Sequence, residues 1–192
     1  YSKSFFNNSN IRIGVGRAGN VIGGGDWSKY RLVPDCMKSW ASDQEVIIRS
    51  PQSTRPWQHV LEPISGYLSL ASRLDIDEDL KGEAFNFGPP ANQNFSVIEV
   101  VEEMSKYWDK VKWKIEKDTN SQESDLLKLN CDKALVKLSW EPVWGFNETI
   151  NQTVKWYKYF YEKKDDLLEI STNQIQNYTN SAILKNLSWT NA

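Results

Sequence analysis

The stretch that decides the fold is Arg17-Ala18-Gly19-Asn20-Val21-Ile22-Gly23-Gly24-Gly25-Asp26-Trp27. It follows a short apolar run, Ile11 to Val15, which predicts a buried strand. Consecutive glycines are unfavourable inside a helix or strand, so they predict a loop in which the backbone turns sharply or lets another group come close. In an α/β protein, ligands usually bind where a strand ends in such a loop.

The residues from Gly14 to Gly19 match the dinucleotide-binding pattern G-x-G-x-x-G literally. In that fingerprint the glycines join a strand to a helix whose N-terminus faces the pyrophosphate. Here the next residues are Asn20-Val21-Ile22 and three glycines, which do not begin an amphipathic helix. We therefore interpret the match as a strand that runs into a loop.

The composition is that of one globular domain: 192 residues, 40% hydrophobic and 25% charged. A net charge of -2 does not favour binding to nucleic acid or to an anionic membrane surface. No apolar run approaches the roughly 20 residues of a membrane span. The N-terminus lacks an initiator Met and an apolar signal core, which indicates a chain that begins in mid-domain.

Cysteine and histidine are too scarce for an obvious metal site. Cys36 and Cys131 are far apart, so we expect buried or half-buried free thiols in a reducing cytoplasm. His59 is the only histidine, which excludes a multi-histidine metal site within this chain. We interpret His59 as a structural histidine whose ring nitrogens are satisfied, rather than as a catalytic group.

Local patterns predict the remaining elements. Glu62 is expected to cap a helix that has Pro63 at its first position. Ser96 and Glu99 form a capping box for a helix that runs to about Trp108. Further helices are predicted over residues 33–42, 132–138 and 146–164, and strands over residues 46–48, 84–89, 111–115 and 126–129, with an extended stretch over 54–61.

Two long blocks carry a resemblance to a known family. They are the glycine-rich stretch with the following Arg31-Leu32-Val33-Pro34-Asp35, and the run from Arg55 to Leu68, which reads RPWQHVLEPISGYL. With weaker matches between Lys133 and Tyr157, they resemble the CDP-glucose 4,6-dehydratases of the extended short-chain dehydrogenase/reductase superfamily. The resemblance covers the chain to about residue 164 and implies only the second half of such an enzyme.

The resemblance implies an α/β fold: the last strands of a Rossmann-type parallel sheet plus the smaller C-terminal lobe that binds the nucleotide sugar. We assign residues 1–170 to this unit. Residues 171–192 form a polar tail, and the sequence leaves open whether it packs.

The implied reaction converts CDP-glucose to CDP-4-keto-6-deoxyglucose, a precursor of deoxysugars in surface polysaccharide. A hydride is transferred from sugar C4 to NAD, water is eliminated across C5 and C6, and the hydride is returned from NADH to C6. The superfamily uses a Tyr-x-x-x-Lys pair, but Phe5 stands four residues after Tyr1. We therefore expect the catalytic pair upstream, no catalytic residue and no metal in this chain, and no activity of the chain alone. The implied complete enzyme is a cytoplasmic homodimer.

The resemblance also implies the binding residues. A nucleotide diphosphate sugar carries two negative charges on its pyrophosphate, and guanidinium groups match phosphate oxygens two at a time. The predicted substrate-binding residues are therefore Arg31, Arg49 and Arg55, with Asn20 and Asn86 contacting the sugar or its phosphate. The backbone of Arg17, Ala18 and Gly19 is expected to run past the nicotinamide of NAD.

Other residues receive structural interpretations. Asp26 is expected to hold the glycine loop, and Trp27 and Trp57 to lie in the core rather than to wall a pocket. The family pattern has His-Glu-Ala before the late strand, whereas this sequence has Gln122-Glu123-Ser124, which puts a substrate contact of that loop in doubt.

Two alternatives stay open. The chain is compatible with another nucleotide-sugar dehydratase or epimerase of the superfamily, although the run RPWQHV favours the CDP-sugar enzyme. It is also compatible with a non-catalytic remnant that binds nucleotide sugars.

Overall fold

The computed structural model of the protein describes residues 2–6, 9–116, 127–163 and 166–191. The strands are β1 (Val15–Ala18), β2 (Asn20–Ile22), β3 (Val46–Ile48), β4 (Thr54–Arg55), β5 (Trp57–His59), β6 (Ala84–Phe87), β7 (Phe95–Ser96) and β8 (Trp113–Ile115). The helices are α1 (Ser2–Phe5), α2 (Leu32–Ala41), α3 (Leu61–Ile76), α4 (Val97–Ser105), α5 (Asp132–Leu138), α6 (Phe146–Glu162) and α7 (Leu167–Leu184), with 3-10 turns at Glu78–Leu80 and Ser188–Asn191.

The strands form short parallel pairs joined by helices, which confirms the predicted α/β class. β1 pairs with β6, β2 with β5 and β3 with β8, all parallel, whereas β4 and β7 are antiparallel. Parallel strands need long crossover connections, and α3 is such a connection between β5 and β6.

The glycine-rich stretch begins as one extended segment with two strand partners. Ala18 pairs with Phe87 of β6, and Asn20 pairs with Trp57 of β5. Only Gly19 separates β1 from β2, so two different strands meet along this segment near one residue.

The strand starts later than predicted. Ile11 is 51% exposed and Val15 46% exposed, and the ladder with β6 begins only at Val15 opposite Ala84. A Cβ on Gly14 would lie 2.8 Å from Leu74 Cδ1, and one on Gly16 would lie 2.6 Å from Tyr67 Cδ1. The apolar run is therefore not buried as a strand, and α3 packs on the backbone of Gly14 and Gly16.

No helix follows Gly19, which confirms that the G-x-G-x-x-G match is not a dinucleotide fingerprint. β2 is followed by a turn at Gly24 and Gly25, and the next helix begins at Leu32. A Cβ on Gly24 would overlap the indole ring of Trp156, and Gly25 has a φ of 81°. The loop therefore uses one glycine for close approach to α6 and the next for a left-handed backbone.

The prediction that Glu62 caps α3 was wrong. The helix begins at Leu61, and its first N–H groups already have partners. The Val60 N–H donates to the Ile22 carbonyl at 2.9 Å, and the Leu61 N–H donates to His59 Nδ1 at 3.3 Å. Glu62 is not needed as a cap, because the Ile22 carbonyl at the end of β2 and the ring of His59 accept these N–H groups.

The Glu62 carboxylate instead joins three parts of the chain. Its side chain is fully buried and accepts the N–H groups of Val143 (2.9 Å) and Trp144 (2.7 Å) and the hydroxyl of Tyr178 on α7 (2.8 Å). Burial raises the pKa of Glu62, and the two backbone donors oppose that rise. Three donors on two oxygens match the ionised form of the carboxylate.

Three hydrophobic clusters hold the elements together. The largest lies between α2, α4 and α6 and includes Trp40, Met104 and Tyr157. The second lies under α3 and contains Leu70, Phe85, Phe87, Leu138 and Trp140. The third is formed by Val143, Trp144, Tyr178, Ala182 and Leu187.

The polar tail is a packed helix for most of its length. Asp166 accepts the N–H groups of Leu168 and Glu169 at the start of α7, and Gln174 donates to the Gln152 carbonyl of α6 at 2.7 Å. The boundary drawn at residue 171 thus lies inside α7, whose contacts are made by widely spaced side chains on one face.

Most of the other predicted elements form within a few residues of their predicted bounds. The capping box of Ser96 and Glu99 is present, although α4 ends at Ser105 rather than near Trp108. The strand predicted at 126–129 does not form over 127–129, and residue 126 lies outside the described residues. Lys164, the predicted end of α6, also lies outside them, and α6 ends at Glu162.

We predict that Glu62→Gln lowers the free energy of unfolding by about 1.5–3 kcal/mol, the value of a hydrogen bond to a charged group. The amide keeps one acceptor oxygen but turns an N–H donor towards another donor. Chemical denaturation measures the change. Glu102→Gln on the exposed side of α4 is the matched control and should stay within about 0.5 kcal/mol of wild type. Equal stability of the two variants would contradict this role of Glu62.

We also predict that Gly24→Ala destabilises the fold by about 1–3 kcal/mol, because the added methyl group overlaps Trp156 and forces the loop away from α6. Thermal unfolding followed by tryptophan fluorescence reports both the stability and the packing of Trp156. Gly145→Ser is the control, since a Cβ at Gly145 comes no closer than 3.5 Å, to Gln93 Nε2. A Gly24→Ala variant with wild-type stability would show that the loop is only permissive.

Candidate functional site

The candidate site lies where β1, β2, β5 and β6 meet at Gly19. A Cβ on Gly19 would lie 2.8 Å from both Cγ and the carbonyl oxygen of Pro56, which immediately precedes β5. The Asn20 N–H donates to the same Pro56 carbonyl at 3.2 Å. The glycine is thus required by close packing against Pro56, and the extended segment changes there from one strand partner to the other.

Six of the predicted binding residues lie around this point. Arg17 of β1 is the register partner of Asn86 in β6, and Ala18 and Gly19 follow along the same segment. Asn20 begins β2, and Arg55 precedes Pro56. An α/β sheet usually binds its ligands at the carboxyl ends of its parallel strands. Here those are the ends of β1 and β6, whereas β2 and β5 begin at this point.

The side chains of this group are anchored in different ways. Asn86 Nδ2 donates to the Asn130 carbonyl at 2.9 Å, which holds the segment before α5 over the end of β6. The Arg55 guanidinium is half-buried, and its Nη1 donates to the Thr54 carbonyl at 2.8 Å. Arg17 is exposed. The edge therefore presents the guanidinium of Arg17 and the amide of Asn86 on the neighbouring strands β1 and β6.

Two predicted residues do not join this group. Arg31 lies directly before α2 and Arg49 directly after β3, and both side chains are exposed. Within the described part of the chain, neither makes a hydrogen bond or an ion pair to the residues around Gly19. The motif residues Gln122, Glu123 and Ser124 lie outside the described residues.

Asp26 and Trp57 have structural roles, as predicted, whereas the prediction that Trp27 lies in the core was wrong, because its side chain is 52% exposed. Asp26 Oδ1 accepts the Ser28 N–H at 2.9 Å, and its backbone carbonyl accepts the Tyr157 hydroxyl at 2.7 Å. Trp27 packs on aromatic rings of α6, with its centroid 4.7 Å from that of Phe160. Trp57 is buried, and its Nε1 donates to the Phe95 carbonyl at 3.0 Å. The glycine loop is therefore fastened to α6.

His59 is buried, as a structural histidine is expected to be. It is 1% exposed, its ring packs edge-on against Trp144 at 4.9 Å, and its Nδ1 accepts the Leu61 N–H. Because Nδ1 is an acceptor, the proton of the neutral ring sits on Nε2, which has no partner among the described residues. The prediction that both ring nitrogens are satisfied therefore holds for only one of them. Burial lowers the pKa of His59 to about 4.

The sequence did not single out Gln58, a residue that connects two strands of the site. It is buried between Trp57 and His59, and its Nε2 donates to the Phe87 carbonyl at the end of β6 at 2.9 Å. The sequence showed a glutamine between Trp57 and His59 in an extended stretch, but not that all three are buried. The residue was missed because burial of β5 is a tertiary property.

A well-formed cavity lies away from these strands. It has a volume of about 450 Å³ between α3, α5 and α7, and none of the predicted site residues lines it. A narrow cleft near Gly19 is lined by Pro56, Pro89, Pro90 and Leu129 among others. Because volume alone does not identify a site, the strand ends with their polar groups remain the candidate.

Other classes of site find no support in the described residues. Cys36 and Cys131 are free thiols, buried and half-buried as predicted, and burial raises the pKa of Cys36 to about 12. Among the residues whose positions are described, no group of three or more His, Cys, Asp or Glu side chains is placed to hold a metal ion. No helix in the described ranges has both the length and the apolar character needed to cross a membrane.

Comparison with curated proteins confirms the resemblance. The chain is 44% identical over 184 residues to CDP-glucose 4,6-dehydratase of Salmonella typhimurium, a match that covers 93% of this chain and 51% of that protein. The chain therefore spans about half the length of the curated relative it matches. No protein-family model matches the chain.

Comparison with solved structures confirms the predicted fold. The chain is similar to an epimerase from Methanothermobacter thermautotrophicus (TM-score 0.70, 24% identity, 84% of this chain and 48% of that one). It is also similar to dTDP-glucose 4,6-dehydratase from Bacillus anthracis in complex with NAD (TM-score 0.67, 21% identity, 84% of this chain and 50% of that one). A third similar structure is UDP-glucuronic acid 4-epimerase from Bacillus cereus in complex with UDP-glucuronic acid and NAD (TM-score 0.68, 18% identity, 83% of this chain and 49% of that one). At these identities the likeness concerns the fold, which matches the C-terminal part of Rossmann-type short-chain dehydrogenase/reductase structures.

We predict that stability falls as the pH drops from 6.5 to 4 because of His59. The unfolded chain protonates its histidine near pH 6.5, whereas the folded chain holds it neutral to about pH 4, so unfolding takes up a proton in this window. The loss amounts to at most about 3 kcal/mol.

The measurement is the free energy of unfolding of wild type and of His59→Gln between pH 4 and 7. The difference between the two curves isolates the histidine, because Glu62, whose raised pKa acts in the opposite direction, is present in both proteins. Parallel curves would show that His59 is protonated equally in the folded and unfolded chains.

Proposed function

We propose that this chain, which is similar to a CDP-glucose 4,6-dehydratase over 93% of its length, is the nucleotide-sugar-binding part of an enzyme with that activity. The complete enzyme would remove water from CDP-glucose to give CDP-4-keto-6-deoxyglucose. The observation that carries the proposal is the convergence of Arg55, Asn20, Asn86 and Arg17 around Gly19, where the parallel pair β1–β6 ends and the parallel pair β2–β5 begins.

Arg55 is the proposed pyrophosphate ligand. Pro56 restricts the backbone of Arg55 to extended geometry, and the contact between Pro56 and Gly19 places that backbone beside the β1–β2 segment. A guanidinium has five N–H groups in a planar fork, so a bond to the Thr54 carbonyl through Nη1 is compatible with a second role towards phosphate oxygens.

Asn20 and Asn86 are the proposed contacts to the sugar or its phosphate. Both begin or lie within strands that border Gly19, and a carboxamide both donates and accepts hydrogen bonds, as sugar hydroxyls require. Arg31 and Arg49 remain proposed ligands on the resemblance alone, because no contact of the described residues links them to this edge.

NAD is the proposed cofactor, and its chemistry is to take up and return the hydride. The exposed Arg17 and half-buried Ala18 at the end of β1 are compatible with a wall for the nicotinamide. Gly19 is not evidence for the cofactor, since Pro56 and Leu129 occupy the space that a side chain would take. We propose that NAD is held mainly by a part of the enzyme outside this chain, where the Tyr-x-x-x-Lys pair would also lie.

The remaining proposals concern the setting of the enzyme. Within the superfamily, the 44% identity favours a CDP-glucose dehydratase over an epimerase, since the epimerase structures share the fold at 24% identity or less. We further propose that the complete enzyme is a cytoplasmic homodimer in deoxysugar synthesis.

We predict that Arg55→Ala weakens the binding of CDP about tenfold to a hundredfold, which corresponds to the loss of a charged hydrogen bond of about 1.5–3 kcal/mol. The same loss should appear for CDP and for CDP-glucose, because the contact is to the pyrophosphate. Arg55→Lys should recover only part of the affinity, since an ammonium group cannot form a two-pronged contact.

Isothermal titration of CDP into wild type, Arg55→Ala and Arg55→Lys tests the proposal. Arg73→Ala is the control, because Arg73 is an exposed arginine in the last turn of α3. Equal dissociation constants for wild type and Arg55→Ala would falsify the pyrophosphate role, and a wild-type chain that binds neither CDP nor CDP-glucose would contradict the binding function.

A further inference from the structure

Gln58 occupies an unusual position for an uncharged polar side chain. It is 2% exposed, and the flanking residues of β5, Trp57 and His59, are buried as well. Its Nε2 donates to the Phe87 carbonyl at 2.9 Å, while its Oε1 is buried without a partner among the described residues. A buried amide with an unpaired oxygen is unfavourable for stability, so stability alone does not account for a glutamine at this position.

The hydrogen bond from Gln58 connects β6, which carries Asn86, with β5, which begins two residues after Arg55. Phe87 is the last residue of β6 and directly follows Asn86, whereas Gln58 lies in β5 three residues after Arg55. β6 and β5 pair with successive parts of the β1–β2 segment, with Ala18 opposite Phe87 and Val21 opposite Gln58. The side-chain amide of Gln58 thus links the end of β6 to the middle of β5, on either side of the point at Gly19 where the segment changes partner.

We infer that Gln58 is a positioning residue of the nucleotide-sugar site. The hydrogen bond from its side-chain amide to the Phe87 carbonyl fixes Arg55 relative to Asn86. The inference rests on the proposed function. Gln58 acts through other residues, because its own side chain is enclosed.

The mechanism is a restraint on the backbone. Pro56 is held on one side by the N–H of Asn20 and by contact with Gly19, and β5 is held on the other side by Gln58. Without the amide, β5 remains paired with β2 but loses its link to β6. Arg55 and Asn86 then no longer keep a constant separation, and displacements of about 1 Å in a binding constellation reduce function by orders of magnitude.

A double-mutant cycle on CDP binding tests the inference. Gln58→Leu keeps the volume and removes the donor, and it should raise the dissociation constant of CDP roughly tenfold. In the Arg55→Ala background the same change should have less than about a twofold effect, because the group that Gln58 positions is absent. Gln44→Leu, an exposed site before β3, is the control and should match wild type in both backgrounds.

A purely structural role of Gln58 gives a different result. It would lower the melting temperature and weaken CDP binding by the same factor in the wild-type and Arg55→Ala backgrounds. Additive effects of this kind, or a Gln58→Leu variant with wild-type affinity, would overturn the inference.

Amide hydrogen exchange provides a test without ligand. Gln58→Leu should accelerate exchange at Asn20, whose N–H is bonded to Pro56, and should leave Val46, bonded to the Lys112 carbonyl in the β3–β8 pair, unchanged. Equal protection of Asn20 in the two proteins would overturn the inference. If wild type binds no CDP but Gln58→Leu still accelerates hydrogen exchange at the Asn20 N–H, the proposed function is wrong. The restraint of the backbone by Gln58 is then confirmed independently of that function.

Discussion

The buried carboxylate of Glu62 is the interaction on which the arrangement of the helices depends. A charged group without water is tolerated only when its lone pairs are matched by donors, and here the donors come from the turn at Val143 and Trp144 and from Tyr178 of α7. Three segments far apart in sequence must therefore meet at the first turn of α3. The third hydrophobic cluster forms around the same residues, so the polar and apolar contacts select the same packing.

The second constraint is the close approach of backbones around the glycines. The absence of a Cβ lets α3 pack against Gly14 and Gly16, Pro56 against Gly19, and Trp156 against Gly24. Each of these glycines is explained by a neighbour within the chain, although a glycine-rich loop is usually interpreted as a phosphate-binding device. The interpretation of function consequently moves from the glycines to the side chains that this close packing brings together, above all Arg55 and Asn86.

The elements that the sequence predicted correctly are governed by local rules. The capping box of Ser96 and Glu99 depends on residues three apart, and α5 lies over Asp132–Leu138 as its pattern predicted. β3 and β6 have bounds close to those expected from their apolar runs. The predictions that were wrong concern features that depend on contacts between residues far apart in the sequence. Glu62 was expected to cap α3, but His59 and Ile22 had already supplied the acceptors, and the late start of β1 reflects the position of its partner β6.

The sequence by itself determined the α/β class, the rejection of the dinucleotide fingerprint, the structural roles of Asp26 and His59, and the resemblance to a dehydratase. These follow from the order of residues along the chain, since periodicity, turn residues and motif runs are read over short distances. Only the tertiary structure decided that six predicted residues meet at Gly19 while Arg31 and Arg49 make no contact there, that Gln58 bridges β5 and β6, and that the tail packs through Gln174 and Tyr178. The physical reason is that burial and the pairing of polar groups depend on which distant segments come together, and a linear pattern does not specify those partners.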